Sequence, residues 1–211
     1  MNNIICIYPC DETTVFLDPL QEIIKQNKIP VLNGDTREEC HLHDIFQSVS
    51  EAECIIFLGH GSSSCLYGSG MTEFLGIDNI HLIKNKKLIL LSCHSCEFIE
   101  NYELNPAIGF NDLPTSMEEL RHIQDNDRSY HPELDEKDIL YFNQVLINVV
   151  GKFVVDVMHN GFVQIEEKMR LYINKEISKI LLAPQGLHNR EIADLLYEFD
   201  DSAESVPCVA L

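Results

Sequence analysis

Cys54-Ile55-Ile56-Phe57-Leu58, closed by Gly59-His60-Gly61-Ser62-Ser63-Ser64, and Leu88-Ile89-Leu90-Leu91, closed by Ser92-Cys93-His94, are the stretches that decide the fold. Each is a short, continuous apolar run bounded by small and polar residues. A strand buried on both faces reads this way, because neither side of its pleat meets water. Two earlier runs are of the same kind: Ile4-Ile5-Cys6-Ile7-Tyr8, and Ile29–Leu32 before the turn residues Asn33-Gly34-Asp35. Between the runs, apolar residues recur at helical spacing. Val15, Phe16, Leu17, Leu20, Ile23 and Ile24 do so after the polar cluster Asp11, Thr13 and Thr14; Leu42, Ile45, Phe46 and Val49 do so within residues 37–50. Strands alternating with helices predict an α/β fold, a three-layer α/β/α sandwich around a mainly parallel sheet.

The second half reads differently. Residues 111–138 carry nine acids, three bases and two prolines with little apolar periodicity, which predicts an acidic surface loop or insertion. A strongly apolar helical pattern then runs from Ile139 to Val157, with Gly151 as a possible break, and reads as core or as a dimer face. Residues 162–182 form a second amphipathic helix, ended by Pro184-Gln185-Gly186, and 190–199 a short last one. Further strand material is expected near Gly109 or at 181–183, and a frayed tail over 200–211.

The whole chain, residues 1–211, suits a single domain. Its 15 basic and 34 acidic residues give a charge of −19. That balance repels nucleic acid and anionic lipid, whose binding needs Lys and Arg, and favours a protein or peptide partner. No apolar run approaches the roughly 20 residues of a membrane span. Residues 1–20 lack the basic start and apolar stretch of a secretory signal, so the eight cysteines are expected as reduced thiols in the cytoplasm. Cys6 and Cys54, inside apolar runs, are expected in the core.

The two deciding strands end in chemistry. Functional groups gather at the carboxyl ends of strands in an open parallel sheet. If the strands are neighbours, His60 and Cys93 emerge side by side. A thiol beside an imidazole can become a thiolate–imidazolium pair, a nucleophile at neutral pH. Cys93 is then the catalytic nucleophile and His60 its base, with the N–H groups of Gly61 and Cys93 as an oxyanion hole. The pattern implies no cofactor and no metal.

These segments carry a family resemblance. Ile55–Phe57 with Gly59-His60-Gly61, followed by Leu88–Leu91 with Ser92-Cys93-His94-Ser95, resembles the caspase-like cysteine peptidases, the superfamily of caspases, metacaspases, separases and CHAT-domain proteases. Asp11–Leu17 and Ala107-Ile108-Gly109-Phe110 are similar to segments of small bacterial caspase-like proteins. The resemblance covers residues 1–115. It implies a three-layer α/β/α fold and peptide-bond hydrolysis through an acyl-enzyme, with His60 and Cys93 in the roles above. It also implies a mobile or cleavable segment after the nucleophile strand, for which 112–138 is the candidate and Arg121 and Arg128 the basic sites. Leu91 stands where metacaspases carry an acid, and Cys96 where they carry glycine.

Other readings use the same residues. Cys93-x-x-Cys96 has a redox spacing. Cys40, His41 and His43, with Cys93 and His94, are zinc-ligand types. Gly59–Ser64 could hold a phosphate, as in a nucleotide sensor or an inactive caspase-like binding module, although it lacks the Lys and spacing of a P-loop. Lys and Arg are absent from 88–120, while Asp11, Glu12, Glu97 and Asp112 follow strands or the catalytic segment. The expected substrate pocket is therefore acidic, lined first by Asp11 and Asp112, and cleavage is expected after Arg or Lys in preference to Asp.

Overall fold

The first apolar run becomes β1 (Ile4–Ile7). From there the computed structural model, which describes residues 3–33, 39–183 and 188–206, alternates strands and helices. A 3-10 turn (Glu12–Leu17) leads into α1 (Asp18–Gln26), whose Pro19 sits in the first turn where no N–H is needed. Then come β2 (Val31–Leu32), α2 (Glu39–Glu51) and β3 (Cys54–Leu58). A small hairpin of β4 (Leu66–Tyr67) and β5 (Glu73–Leu75) separates β3 from β6 (Lys87–Leu91). α3 (Ser95–Tyr102) and β7 (Ala107–Gly109) follow. The chain then becomes helical through α4 (Met117–Asn126), α5 (Glu136–Asn160), α6 (Ile165–Leu182) and α7 (Asn189–Ser202), and β8 (Glu204–Val206) returns to the sheet.

The central sheet has the order β2-β1-β3-β6-β7-β8. Its first five strands are parallel, and β8 runs antiparallel to β7 at the edge. Successive strand residues face opposite sides, so the continuous apolar runs feed two cores. Cys6, Ile56, Leu58, Ile89, Leu91 and Ile108 pack with α1, α5, α6 and α7. Ile5, Ile7, Ile55, Phe57, Leu88 and Leu90 pack with α2, α3 and the β4–β5 hairpin. The architecture is the three-layer α/β/α sandwich, and Cys6 and Cys54 are fully buried in it. Burying each such aliphatic side chain contributes about 1.5–3 kcal/mol.

Three local expectations change. Residues 111–138 are not a plain loop. Ser116 caps α4 by accepting the Glu119 N–H at 3.1 Å, and Leu113, Leu120 and Leu134 are buried. The acidic residues form the outer face of this packed segment and mask its sparse apolar anchors. The expected fray from Asp200 is also replaced by order: α7 continues to Ser202, Ala203 is buried, and β8 pairs Val206 with Ala107 and Glu204 with Gly109. Residues 207–211 lie outside the described residues, as do Gly34, Asp35 and Pro184–Gly186. Finally, Gly151 does not break α5. A Cβ there would stand 3.0 Å from Ile23 Cδ1, so the glycine marks where α1 packs onto α5. Residues 181 and 182 end α6 rather than forming a strand, whereas Ala107–Gly109 is one.

α5 is the one helix among the described residues long and apolar enough to cross a membrane by length and composition. Its apolar stripe, Ile139 through Val157, is the face buried in the core. A capping box starts it: Asp135 accepts the N–H groups of Lys137 and Asp138, and Asp138 accepts the N–H of Asp135.

Candidate active site

β3 and β6 are adjacent, with Leu58 opposite Leu91. Gly59 N–H extends the ladder by one bond, 3.2 Å to Leu91 O. His60 and Cys93, each two residues beyond the matched leucines, line a single cleft at the carboxyl end of the sheet. The cleft also receives Thr13 and Phe16 from the 3-10 turn and Leu113, Thr115 and Glu119 from the chain after β7.

Gly61 makes the close approach of the two strand ends possible. A Cβ there would stand 2.6 Å from Ser92 Oγ and 2.8 Å from Cys93 O. Gly61 also forms a bridge with Leu66, in which the flanking bonds are Tyr67 N–H to His60 O at 3.0 Å and Ser62 N–H to Cys65 O at 2.8 Å. In such a pair the bridged residue's own N–H points away from its partner. The expected oxyanion donors, Gly61 and Cys93, therefore belong to backbones in direct contact, with the Gly61 N–H off the ladder.

Ser95 fixes the turn that presents Cys93. Its hydroxyl lies 2.8 Å from Leu90 O, 2.8 Å from Ser92 O and 3.2 Å from Phe110 O, and it accepts the Phe110 N–H at 2.9 Å. His94, just before α3, takes the left-handed conformation at φ 54°. Its Nε2 is 3.3 Å from Asp112 and its Nδ1 is 3.6 Å from Glu97.

The backbone N–H of Leu113 favours the charged form of the Cys93 sulfur. Burial pushes this thiol up to about 11, and the charges of Glu119 and Asp112 push the same way against that N–H. The thiol is thus protonated at neutral pH. Attack at the carbonyl therefore requires the proton to leave the sulfur. On the other side of the cleft, His60 Nε2 is 2.6 Å from Thr13 Oγ1. The cleft that these groups line has a volume of about 20 Å³, room for a single water.

The two carboxylates expected to line the pocket lie elsewhere. Asp11 starts the 3-10 turn, and its Oδ2 accepts the Gly70 N–H at 3.2 Å. Asp112 faces His94 and a separate cavity of about 220 Å³ walled by Leu113, Tyr130, Phe142 and Phe199. The carboxylate in the cleft is Glu119. Its Oε2 accepts the N–H and hydroxyl of Thr115 at 2.8 and 2.7 Å. The pattern Ser116-Met117-Glu118-Glu119, a capping-box signature, is the sequence signal that places this glutamate.

The competing readings have specific geometry too. Ser62 Oγ accepts the N–H groups of Ser64 at 3.3 Å and Cys65 at 3.1 Å, so these two donors are turned back onto the loop's own Ser62. It runs into the β4–β5 hairpin, where a phosphate loop would open a helix. Cys93 and Cys96 are not joined in a disulfide, and Cys96 is buried. Among the described residues, no three His, Cys, Asp or Glu side chains stand together as metal ligands. His43 is exposed, and the side chains of Cys40 and His41 lie outside the described residues. Comparison of the chain with protein-family models and with curated proteins finds no match.

Proposed function

We propose that the protein is a caspase-like cysteine peptidase of the cytoplasm that hydrolyses peptide bonds with Cys93 as nucleophile and His60 as general base. The observation that carries this reading is the register of β3 on β6, which puts an imidazole and a thiol in one cleft at the carboxyl edge of the sheet. His60 takes the thiol proton as the sulfur attacks the peptide carbonyl. The N–H groups of Gly61 and Cys93 stabilise the oxyanion, an effect worth about 10²–10³ in rate per donor in comparable sites. His60 then protonates the leaving amine, and a thioester joins Cys93 to the acyl fragment. Water activated by the same imidazole releases it. With Glu119 in the cleft and no Lys or Arg in 88–120, the preferred side chain before the cut is Arg or Lys.

A second reading, a caspase-like module that binds without cutting, is favoured by one observation. The cleft has a volume of only about 20 Å³, too small for a peptide as it stands. Peptide-library cleavage, read by mass spectrometry for the wild-type protein beside Cys93→Ala, separates the two. Cuts present only in the wild type support the peptidase. Identical profiles leave the binding module.

A further inference from the structure

Among the described residues the imidazole of His60 has one hydrogen-bond partner, and that contact belongs to a built support. Thr13 Oγ1 stands 2.6 Å from His60 Nε2. The same hydroxyl reaches Asp11 Oδ1 at 3.5 Å, a long hydrogen bond. Asp11 is itself fixed twice. Its backbone N–H donates to Thr14 Oγ1 at 3.0 Å, and its Oδ2 accepts the Gly70 N–H at 3.2 Å. Ser69 Oγ donates to Pro9 O at 2.5 Å, and Tyr67 N–H to His60 O at 3.0 Å. The chain from His60 to Gly70 therefore grips both ends of the Asp11–Thr13–His60 line.

We infer that Thr13, backed by Asp11, is the positioning residue that orients His60 to receive the Cys93 proton. The inference rests on the Cys93–His60 reading above. A carboxylate only accepts hydrogen bonds, so Asp11 Oδ1 takes the single proton of the Thr13 hydroxyl. Thr13 Oγ1 then has only lone pairs to offer His60, which places the imidazole proton on Nε2. Nδ1 is left unprotonated, and it is the nitrogen that takes the thiol proton. The opposite arrangement, Thr13 donating to Nε2, would put the proton on Nδ1 and leave no base for Cys93. Thr13 touches neither sulfur nor substrate in this scheme. It acts through the tautomer and ring orientation of His60.

Alkylation of Cys93 by iodoacetamide, followed by peptide mass spectrometry, reads this without a known substrate. The thiolate displaces iodide, and His60 accepts the thiol proton. Thr13→Val should slow Cys93 alkylation about tenfold, and Thr13→Ser should restore it. His60→Ala should slow it at least as much, and the double variant no further than His60→Ala, because Thr13 acts only through the imidazole. Asp11→Asn, which gives Thr13 a different partner, should fall between wild type and Thr13→Val. If His60→Ala slows the reaction and Thr13→Val does not, the inference is overturned and the dyad stands. If Thr13→Val slows it equally in the His60→Ala background, Thr13 acts by local packing, and the inference is again overturned. If His60→Ala has no effect, the dyad reading fails and takes this inference with it.

Discussion

Leu113 and Cys93 line the same cleft, and the backbone N–H of Leu113 favours the charged form of the Cys93 sulfur. Leu113 is buried, and it walls both the Cys93 cleft and the neighbouring cavity of about 220 Å³. The next anchor along is Asn143 of α5, whose Nδ2 donates to Thr115 O at 2.8 Å. Leu113 and Thr115 line the cleft with Cys93, and on the proposed reading this segment moves before a peptide carbonyl reaches the thiol. Asn143→Ala removes one hydrogen bond, worth about 1 kcal/mol, and should raise the rate of Cys93 alkylation about fivefold. Alkylation kinetics check this, with hydrogen exchange at the Leu113 amide as a second readout. An unchanged rate in a folded variant would contradict that movement.

His131 joins the chain after α4 to α7. Its Nδ1 is 2.9 Å from Glu191 and its Nε2 3.1 Å from Glu198, and the ring is buried. Burial alone would lower its proton affinity, but the hydrogen bonds and charges of Glu198 and Glu191 outweigh it and raise the value above 6.5. The stabilisation is fully present below about 6.5 and is lost as pH rises through the raised folded value. Glu198 behaves in the opposite sense. Burial raises it, but His131 and Tyr130 hold it below 4.5, so its contribution is lost in acid. His188, raised by Asp138 at 2.6 Å, adds a slope of the same sign as His131. Thermal midpoints between about pH 6 and about pH 8.5 should therefore fall more steeply for the wild type than for His131→Gln. Parallel curves would count against the clamp.

Gly61→Ala and Gly59→Ala form a matched pair. A Cβ at 61 meets the Cys93 carbonyl at 2.8 Å, which is backbone and cannot swing aside, whereas at 59 it meets the Phe57 ring at 3.3 Å. Denaturant unfolding should show a loss of about 1–3 kcal/mol for Gly61→Ala and a smaller one for Gly59→Ala. The first variant should also disturb Cys93 alkylation, since it pushes the two strand ends apart. Equal stability of the two would mean that the ends are not in contact.

Charge at the cleft bears on specificity. Matched reporter peptides ending in Arg, Lys, Asp or Leu should be turned over with Arg or Lys preferred, and Glu119→Gln should weaken that preference more than Asp112→Asn. Arg128 lies in the exposed turn between α4 and α5, while Arg121 is wound into α4. Self-cleavage, followed by intact mass, should accordingly fall at Arg128 and be lost in Cys93→Ala. A preference for Asp or Leu would overturn the charge argument.

Much of this arrangement is legible in the residues themselves. Ile55–Leu58 and Leu88–Leu91 can only be buried on both faces, and their endings at His60 and Cys93 follow from strand polarity. What escapes the sequence is contact made by backbone or by sparse anchors. The effect of the Leu113 N–H on Cys93 has no side-chain signature. α4 shows seven polar residues around Leu120 and reads as loop until Ser116 and Glu119 are seen as its cap. β4 and β5 are two and three residues long with a shifted register, too short for alternation to register. β8 is set by pairing with β7 rather than by its own pattern. Asp11 was an attractive pocket acid because it follows a strand, but the same position suits a turn-forming carboxylate bound to Gly70.

The central claim is that Cys93 is a nucleophile that depends on His60. An electrophilic peptide probe carrying Arg before a thiol-reactive ketone tests it most directly, with the labelled residue located by mass spectrometry. The account predicts labelling at Cys93 in preference to the exposed Cys10, with the rate falling about 10²-fold or more in His60→Ala. Labelling spread over Cys10 and Cys93 at rates indifferent to His60 would contradict it.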